Sequence, residues 1–244
     1  MNTSSLSVKR TSNPLVVWLF SSIGKKTMVA VTGILLVLFV IGHLVGNLTF
    51  FVGPDVINAY AKSLHDLGPI LWVIRLGLLA VVGLHIYFTM LLWKENRTAR
   101  PSKYKYKTHV QSTIFSRTMR LSGIVILAFV VFHLAHFTLR VVDPAYSQMR
   151  TMLGDHEVLD VYRMIVAGFS VWWVSVFYVI SLGLVAFHLS HGISSLFQTL
   201  GLSNRRLRPT IELGGKVLAW ALFIGFSSIP ISILIFGLGK EALK

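Results

Sequence analysis

Two histidines lie inside the apolar stretch VVFHLAHFTLR, at His133 and His136. An ionisable ring is costly in apolar surroundings, and such groups inside membrane segments usually have a functional partner. Four further histidines have similarly apolar neighbours: His43, His85, His188 and His191. Neutral imidazole is a common metal ligand, and it also binds haem iron. The chemistry that these residue types indicate is therefore metal or haem ligation.

Five apolar stretches carry or flank these histidines, and each is near the roughly 20 residues that a helix needs to cross a bilayer. Hydrophobic residues make up 54% of the 244 residues and charged residues only 13%, whereas soluble domains carry roughly 25% charged residues. Segments in lipid must satisfy their backbone hydrogen bonds internally, so the spans are helices. The sequence predicts an all-α integral membrane bundle, a single transmembrane domain over 1–244, with helices at about 28–51, 70–93, 120–139, 167–197 and 217–239.

Basic residues are distributed unevenly between the loops. Sixteen of the 23 Lys and Arg residues occupy the segments before the first span, between the second and third, and between the fourth and fifth. Positively charged loops stay in the cytoplasm. The sequence therefore predicts a cytoplasmic N-terminus, with residues 1–22 as a cytoplasmic or interfacial lead-in, and an outer C-terminus. The same asymmetry explains the net charge of +14 without a nucleic-acid partner.

This topology places the histidines at two depths. An α-helix rises about 1.5 Å per residue, which puts His43 and His133 each ~25 Å from the cytoplasmic boundary and His85 ~12–14 Å from it. His188 precedes the end of its helix by a similar number of residues. Two histidine pairs at two depths match two bis-histidine haems stacked across the membrane. Such haems have no open iron position, which favours electron transfer over oxygen or substrate binding.

Other uses of intramembrane histidines fit less well. Zinc normally takes three or four protein ligands, more than two histidines at each depth supply, and the chain has no cysteine for a thiolate site or an iron–sulfur cluster of its own. A proton relay would recruit acidic partners, and the first, third and fourth predicted spans contain none. For a single histidine a packing role is an equal alternative, but six histidines on four spans favour ligation.

An internal repeat distinguishes between the two histidines of the third span as candidate ligands. TGILLVLFVIGH at 32–43 aligns with SGIVILAFVVFH at 122–133. This register pairs His133 with His43 and leaves His136 one turn nearer the outer face. In the second and fourth spans, matching on Leu-Gly-Leu selects His191 rather than His188 as the partner of His85. The comparison within the sequence therefore leaves both His188 and His191 as candidate ligands.

Four short motifs carry a resemblance to a known family: IGHLVGN around His43, GLHIYF around His85, FVVFH ending at His133 after a Ser-Gly pair, and FHLSHGI around His188. Their order and spacing over roughly 20–240 resemble the di-haem cytochrome b membrane-anchor subunit of succinate:quinone oxidoreductases, the succinate dehydrogenase and fumarate reductase family. These are five-helix proteins of similar length.

The resemblance implies a ligand set. The helix 1 and 3 ligands, His43 and His133, would hold the distal haem, and His85 and His188 the proximal one. His188 is favoured because a small residue and then a glycine follow it at the family's spacing. The alternative ligands are His136 and His191. One departure is Ala186, where some relatives carry a functional glutamate.

The resemblance also implies partners and a reaction. An iron–sulfur subunit would pass electrons through the two b haems to a membrane quinone, menaquinone or ubiquinone. A flavoprotein subunit would oxidise succinate, since this chain carries none of that chemistry. Such subunits lie in lipid in the bacterial cytoplasmic (inner) membrane, where the tricarboxylic acid cycle meets the respiratory chain. The alternatives are a cytochrome b subunit of a formate dehydrogenase or hydrogenase, a transporter, and an assembly anchor.

Polar residues near the ends of the spans supply candidates for the remaining contacts. The quinone is expected near the outer face, with candidates Asp66, His65, Arg75, His136 and Asn47. Asp66 is only a loose counterpart of the family's acidic residue. Haem-propionate candidates are Lys26, Arg117, Arg120 and Arg75, with Ser22 and Ser116 weaker. Arg75 lies ~15 Å further outward than His85, a depth that suits either a propionate or a quinone carbonyl.

Overall fold

A computed structural model describes residues 13–99 and 114–244, with the side chains of 114–117 excepted. Within these ranges the chain forms eight α-helices: α1 (Pro14–Leu19), α2 (Ser22–Leu48), α3 (Pro54–His65), α4 (Pro69–Thr98), α5 (Ile114–His133), α6 (Val161–Ser170), α7 (Trp172–Thr199) and α8 (Arg208–Phe236). One antiparallel hairpin, β1 (Arg150–Leu153) with β2 (His156–Leu159), lies between α5 and α6. Residues 1–12 and 100–113, which carry much of the predicted cytoplasmic charge, lie outside the description.

Five helices in the described ranges are long and apolar enough to cross a membrane: α2, α4, α5 with the π turn Leu134–Thr138 that follows it, α7 and α8. The predicted all-α integral membrane bundle of five spanning helices is therefore confirmed. The chain is a multi-pass membrane protein.

The observed helix ends differ from the predicted ones. The first span begins at Ser22 rather than near 28, because the Ser21 side chain accepts a hydrogen bond from the Gly24 N–H and caps the helix before the apolar run. The predicted fourth span started at 167, but the chain breaks at Val171, with ψ at 110°. Hydropathy does not register this break, because α6 is itself apolar. The fifth span likewise begins earlier than predicted, at Arg208 rather than near 217.

The spans pack in pairs. α7 lies against α8 and α5, and α2 lies against α4 and also contacts α7 and α8. A buried apolar cluster of residues from α3, α6, α7 and α8 includes Phe50 beyond the end of α2, and there the Phe50 ring stacks on the Tyr162 ring at 4.8 Å. We call this the capped end; it comprises α3, the β1–β2 hairpin, α6 and the 3₁₀ helix Lys240–Leu243. At the opposite end, the buried Lys25 ammonium pairs with Glu95.

The lead-in is described only from residue 13. The Asn13 side chain caps α1 by accepting a hydrogen bond from the Leu15 N–H. Most of the apolar side chains of α1 are exposed, and Leu15 is 67% exposed. The helix connects to the bundle through Phe20, whose ring lies 6.3 Å from that of Phe88 on α4. The interfacial position of this segment stays a prediction.

A single buried side chain ties α3 to α6. Asn58 is 2% exposed; its amide oxygen accepts a hydrogen bond from the Tyr162 N–H at 3.1 Å, and its amide nitrogen donates to Asp160 at 3.2 Å. Asp160 caps α6 by accepting from the Arg163 N–H. Asn58 therefore satisfies a main-chain donor in the first turn of α6 that the helix cannot satisfy itself.

We expect Asn58→Ala to lower the thermal unfolding midpoint of the detergent-solubilised protein. The Tyr162 N–H would be left buried and unpaired, which costs about 1–3 kcal/mol, and each kcal/mol shifts the midpoint by about 2–4 °C in a chain of this size. The matched control is Asn204→Ala, because the exposed Asn204 accepts two main-chain bonds that water can replace. Equal shifts in the two variants would contradict the role given to Asn58.

Candidate functional site

The four predicted ligands lie at two levels of the bundle. His43 lies little more than one turn before Leu48, the last residue of α2, and His133 lies equally far before Thr138, where its π turn ends. His85 and His188 lie deeper, near the middle of α4 and α7, at equal distances from the first residues of these helices. With a rise of about 1.5 Å per residue, the first pair lies ~8 Å from the capped ends of its helices and the second ~24 Å from them.

At the level nearer the capped end, the two imidazoles meet. The ring centres of His43 and His133 are 5.8 Å apart, with the ring planes at 80°. Metal–imidazole nitrogen bonds are about 2.0–2.1 Å in zinc sites, so two imidazoles sharing one metal ion have ring centres about 6 Å apart. The donor set and its spacing therefore fit bis-histidine ligation of an iron.

Aromatic side chains surround this pair. Phe39 stacks on the His43 ring at 5.4 Å, Phe226 lies 5.7 Å from the same ring, and Phe129 lies 6.0 Å from the His133 ring. These contacts keep the imidazoles in an apolar environment. Exclusion of water is one means by which a protein sets the potential of a metal centre.

Three of the four rings share one hydrogen-bond pattern. A hydroxyl from a neighbouring helix lies beside each Nδ1 atom: Thr32 at 3.0 Å from His85, Ser122 at 3.3 Å from His188, and Tyr178 at 3.4 Å from His133. The Thr32 and Ser122 hydroxyls donate their own hydrogens to the Met28 and Met119 carbonyls. They therefore accept from the imidazoles. Metal-binding histidines typically donate one ring N–H in this way and bind the metal with the other nitrogen.

The internal repeat explains two of these contacts. Thr32 and Ser122 are its first residues, and the glycines that follow them lie against the same rings. A Cβ at Gly33 would lie 3.6 Å from His85 Cε1, and a Cβ at Gly123 would lie 3.9 Å from His188 Cε1. Each repeat copy thus contacts a histidine of another helix. Sequence reasoning missed the two hydroxyls, although their alignment in the repeat was a readable signal.

His136 has a different environment from His133. It is 1% exposed, and both of its ring nitrogens have partners: Nδ1 lies 3.1 Å from the Tyr178 hydroxyl and Nε2 lies 3.4 Å from the Tyr146 hydroxyl. Burial and the nearby Asp143 carboxylate raise the pKa of Tyr146 to about 12, so its hydroxyl is neutral at physiological pH. Both nitrogens of His136 are thus occupied by hydrogen bonds.

The other alternative ligand, His191, lies one turn beyond His188 on α7 and is half-buried. Within residues 13–99 and 114–244, no hydroxyl or carbonyl holds the His191 ring in the way that Ser122 holds His188. In the same ranges, no group of three or more His, Asp or Glu side chains is arranged to hold a metal ion.

Three of the predicted quinone residues meet at two adjoining cavities of the capped end. The larger, about 600 Å³, is lined by His65, Arg75, Trp72 and Arg140 among others. The smaller, about 350 Å³, shares His65 and Arg140 and adds Asp66, which also forms an ion pair with Lys62 at 2.6 Å.

The two other quinone candidates lie apart from these cavities. His136 is held by the two tyrosines, and Asn47 lies against the His43 ring. The Asn47 amide nitrogen donates to the His43 carbonyl at 2.7 Å. Asn47 is thus a neighbour of a predicted haem ligand.

Arg140, which ends the stretch VVFHLAHFTLR, lines both cavities, and sequence reasoning missed it. It is the one non-glycine residue of the described ranges with a left-handed backbone, at φ 57°. Its Nε is buried without a hydrogen-bond partner in those ranges. Arg75 faces the same cavity with its guanidinium 5.1 Å from the Trp72 ring centre. The three described ion pairs include neither arginine, so the cavity presents two guanidinium groups without a carboxylate partner.

The remaining propionate candidates lie toward the opposite end. Lys26 and Ser22 are exposed, and the Arg120 guanidinium lies 5.3 Å from the Trp93 ring centre. The side chains of Arg117 and Ser116 lie outside the described part of the chain.

The sequence matches a family model described as the succinate dehydrogenase/fumarate reductase transmembrane subunit, over residues 94–223. This match covers more than half of the chain and includes His133 and His188. Neither the curated proteins nor the solved structures contain a match to the sequence.

Proposed function

Since the chain belongs to the succinate dehydrogenase/fumarate reductase transmembrane subunit family, we propose that it is the cytochrome b subunit that carries electrons from an iron–sulfur partner to a membrane quinone. Family membership makes it a membrane subunit of an oxidoreductase complex with partner subunits. The proposal identifies those partners as an iron–sulfur subunit and a succinate-oxidising flavoprotein. It also places two b haems in this chain.

The observation that carries the proposal is the shared pattern at the imidazoles. His133, His85 and His188 each have Nδ1 beside a hydroxyl from another helix, which leaves Nε2 for a metal. We assign His43 with His133 to one haem, and His85 with His188 to the other. When bound, each haem would supply one-electron transfer at an iron with no open coordination position.

The residues of this chain supply orientation and environment. The Thr32 and Ser122 hydroxyls fix the tautomers of His85 and His188, because a ring that donates from Nδ1 presents a lone pair at Nε2. Thr32 and Ser122 are themselves fixed to main-chain carbonyls, so the histidines they hold are restrained by the helix backbone. Phe39 and Phe226 lie against the His43 ring and give it apolar neighbours.

The quinone site of the proposal is the cavity pair at the capped end. Reduction of a quinone takes up two electrons and two protons, and negative charge develops on its carbonyl oxygens during the reaction. Arg75 and Arg140 line the larger cavity as donors and cations that stabilise this charge. His65 and Asp66 line the smaller one and can exchange protons.

The orientation in the membrane follows from the loop charges. The end of α4, with Lys94 and Arg97, and the turn between α7 and α8, with Arg205 and Arg206, are basic, and both lie opposite the capped end. Positively charged loops stay inside, so the capped end faces outward and the N-terminus is cytoplasmic. In a bacterium this membrane is the inner one, and the quinone would be reduced near its outer face.

The deciding experiment is an optical one on the purified complex. We expect a reduced-minus-oxidised spectrum of b-type haem, two haems per chain, and co-purification of a flavoprotein with succinate dehydrogenase activity. A complex without haem would overturn the proposal. Haem together with formate dehydrogenase or hydrogenase activity, in place of succinate oxidation, would support the alternative family of quinone-linked enzymes.

Arg140→Gly is expected to weaken quinone binding without lowering stability. The left-handed backbone of a non-glycine residue costs about 1–3 kcal/mol, and glycine adopts this conformation without the penalty. A lost charge-assisted hydrogen bond of about 1.5–3 kcal/mol corresponds to a roughly ten- to hundredfold higher KM for quinone.

Steady-state assays with quinone and with an artificial acceptor, together with a thermal melt, measure this prediction. The control is Arg205→Gly, in an exposed turn at the end opposite to the cavities. An unchanged KM for quinone in Arg140→Gly would exclude Arg140 from the site.

A further inference from the structure

A buried chain of three polar side chains, Tyr178, His136 and Tyr146, leads away from His133. The His133 Nδ1 lies 3.4 Å from the Tyr178 hydroxyl, which lies 3.1 Å from His136 Nδ1, and His136 Nε2 lies 3.4 Å from the Tyr146 hydroxyl. His136, Tyr178 and Tyr146 are all almost fully buried. Because an unpaired buried polar group costs about 1–3 kcal/mol, these groups hold one another in a single arrangement.

The surroundings of His136 are built to hold its ring at this position. The π turn Leu134–Thr138, closed by the Leu139 N–H on the Leu134 carbonyl at 2.7 Å, carries His136. On the other side, α6 approaches through Gly168, where a Cβ would lie 3.0 Å from His136 Cε1. Such a contact is tighter than nine in ten real Cβ contacts, so a side chain at 168 would require the ring to move by a few tenths of an ångström.

The ligand role of His133 determines the direction of every bond in this chain. If Nε2 of His133 binds the metal, its Nδ1 carries the hydrogen and donates to the Tyr178 oxygen. A tyrosine hydroxyl has one hydrogen, so Tyr178 donates to Nδ1 of His136. His136 then carries its own hydrogen on Nε2 and donates it to Tyr146. All donors therefore point away from His133.

The other level of the bundle has no comparable chain in the described residues. His85 and His188 each donate to one aliphatic hydroxyl, which ends on a main-chain carbonyl. Consecutive hydrogen bonds polarise one another and strengthen the first bond of the series. Tyr178, backed by His136, is therefore a stronger hydrogen-bond acceptor for His133 Nδ1 than an isolated tyrosine would be.

We propose that Tyr178 and His136 are positioning residues for His133, and that their chain lowers the reduction potential of the haem at His43 and His133 independently of the other haem. The inference rests on the proposed function, because it requires His133 to be a ligand. A stronger acceptor at Nδ1 makes the imidazole a better electron donor, and this stabilises the oxidised iron.

The test is a redox titration of the purified complex carrying Tyr178→Phe, which keeps the ring and removes the hydroxyl. We expect both haems to be retained, the midpoint potential of one to rise, and that of the other to stay unchanged. Ser122→Ala is the matched control: it removes the hydroxyl beside His188, so it should shift the other haem. Low-spin electron paramagnetic resonance of the same samples should show the altered signal at one haem only.

A second variant covers the case in which Tyr178→Phe fails to fold. His136→Phe keeps Tyr178 but removes the acceptor behind it, so it should shift the same haem in the same direction by a smaller amount. Two haems with unchanged potentials in these variants would overturn the inference and leave the proposed function intact. Equal shifts of both haems would also overturn it, as a general packing effect. Absence of haem from the unmodified complex would instead overturn the proposed function.

Discussion

His133→Ala is expected to reduce the haem content of the complex from two per chain to one, whereas His136→Ala is expected to retain both. The two histidines lie one turn apart, yet their ring nitrogens differ in availability. Both nitrogens of His136 are held by tyrosine hydroxyls, and only Nδ1 of His133 is held in this way. His133 also lies 5.8 Å from the His43 ring, at the spacing of a shared metal.

Haem extraction with a chain-specific protein assay gives the ratio directly. In His133→Ala, electron transfer from succinate to quinone should fall to background, while succinate oxidation with an artificial acceptor persists in the partner subunit. His136→Ala serves as the matched control, since it removes an imidazole from the same helix. Loss of a haem in His136→Ala with retention of both in His133→Ala would reverse the assignment.

The corresponding prediction for the second haem concerns α7. His188→Ala is expected to remove one haem, and His191→Ala is expected to retain both. Ser122 holds Nδ1 of His188 at 3.3 Å, and Gly123 lies against the same ring. Within the described ranges, the His191 ring has no such hydroxyl. His188 also lies as deep as His85, because the two residues are equally far from the first residues of their helices.

A double variant makes this second test sharper. His133→Ala combined with His188→Ala should bind no haem, because each change removes one ligand of a different pair. The combination of His133→Ala with His191→Ala should retain one haem. If His188→Ala alone keeps two haems and His191→Ala loses one, the Leu-Gly-Leu register of the internal comparison was the correct guide.

The sequence by itself determined the properties that depend only on position along the chain. A run of about 20 apolar residues must form a spanning helix, and the five predicted spans are helices in the structure. Because the rise per residue of an α-helix is constant, residue counts place His43 and His133 at one depth. The repeat register singled out His133 over His136, and the structure joins His133 with His43 at one level.

Other features required the tertiary structure, because they depend on how each helix is rotated and which helices are neighbours. A span that is apolar on all sides has no amphipathic face to indicate its rotation. Thr32 meets His85, and Ser122 meets His188, across gaps of 53 and 66 residues. The contacts of the Tyr178 and Tyr146 hydroxyls with the two ring nitrogens of His136 also depend on helix packing.

The ends of the helices also required the structure, because they depend on local backbone geometry. The break at Val171 and the left-handed backbone of Arg140 lie within apolar or ordinary sequence that gives no turn signal. Both conformations lie near the point where Gly168 of α6 meets His136 and Phe137 of the π turn after α5. The depth of a residue along a membrane helix follows from its position in the sequence. The partner of each imidazole nitrogen depends on the rotation and packing of the helices, which only the folded bundle decides.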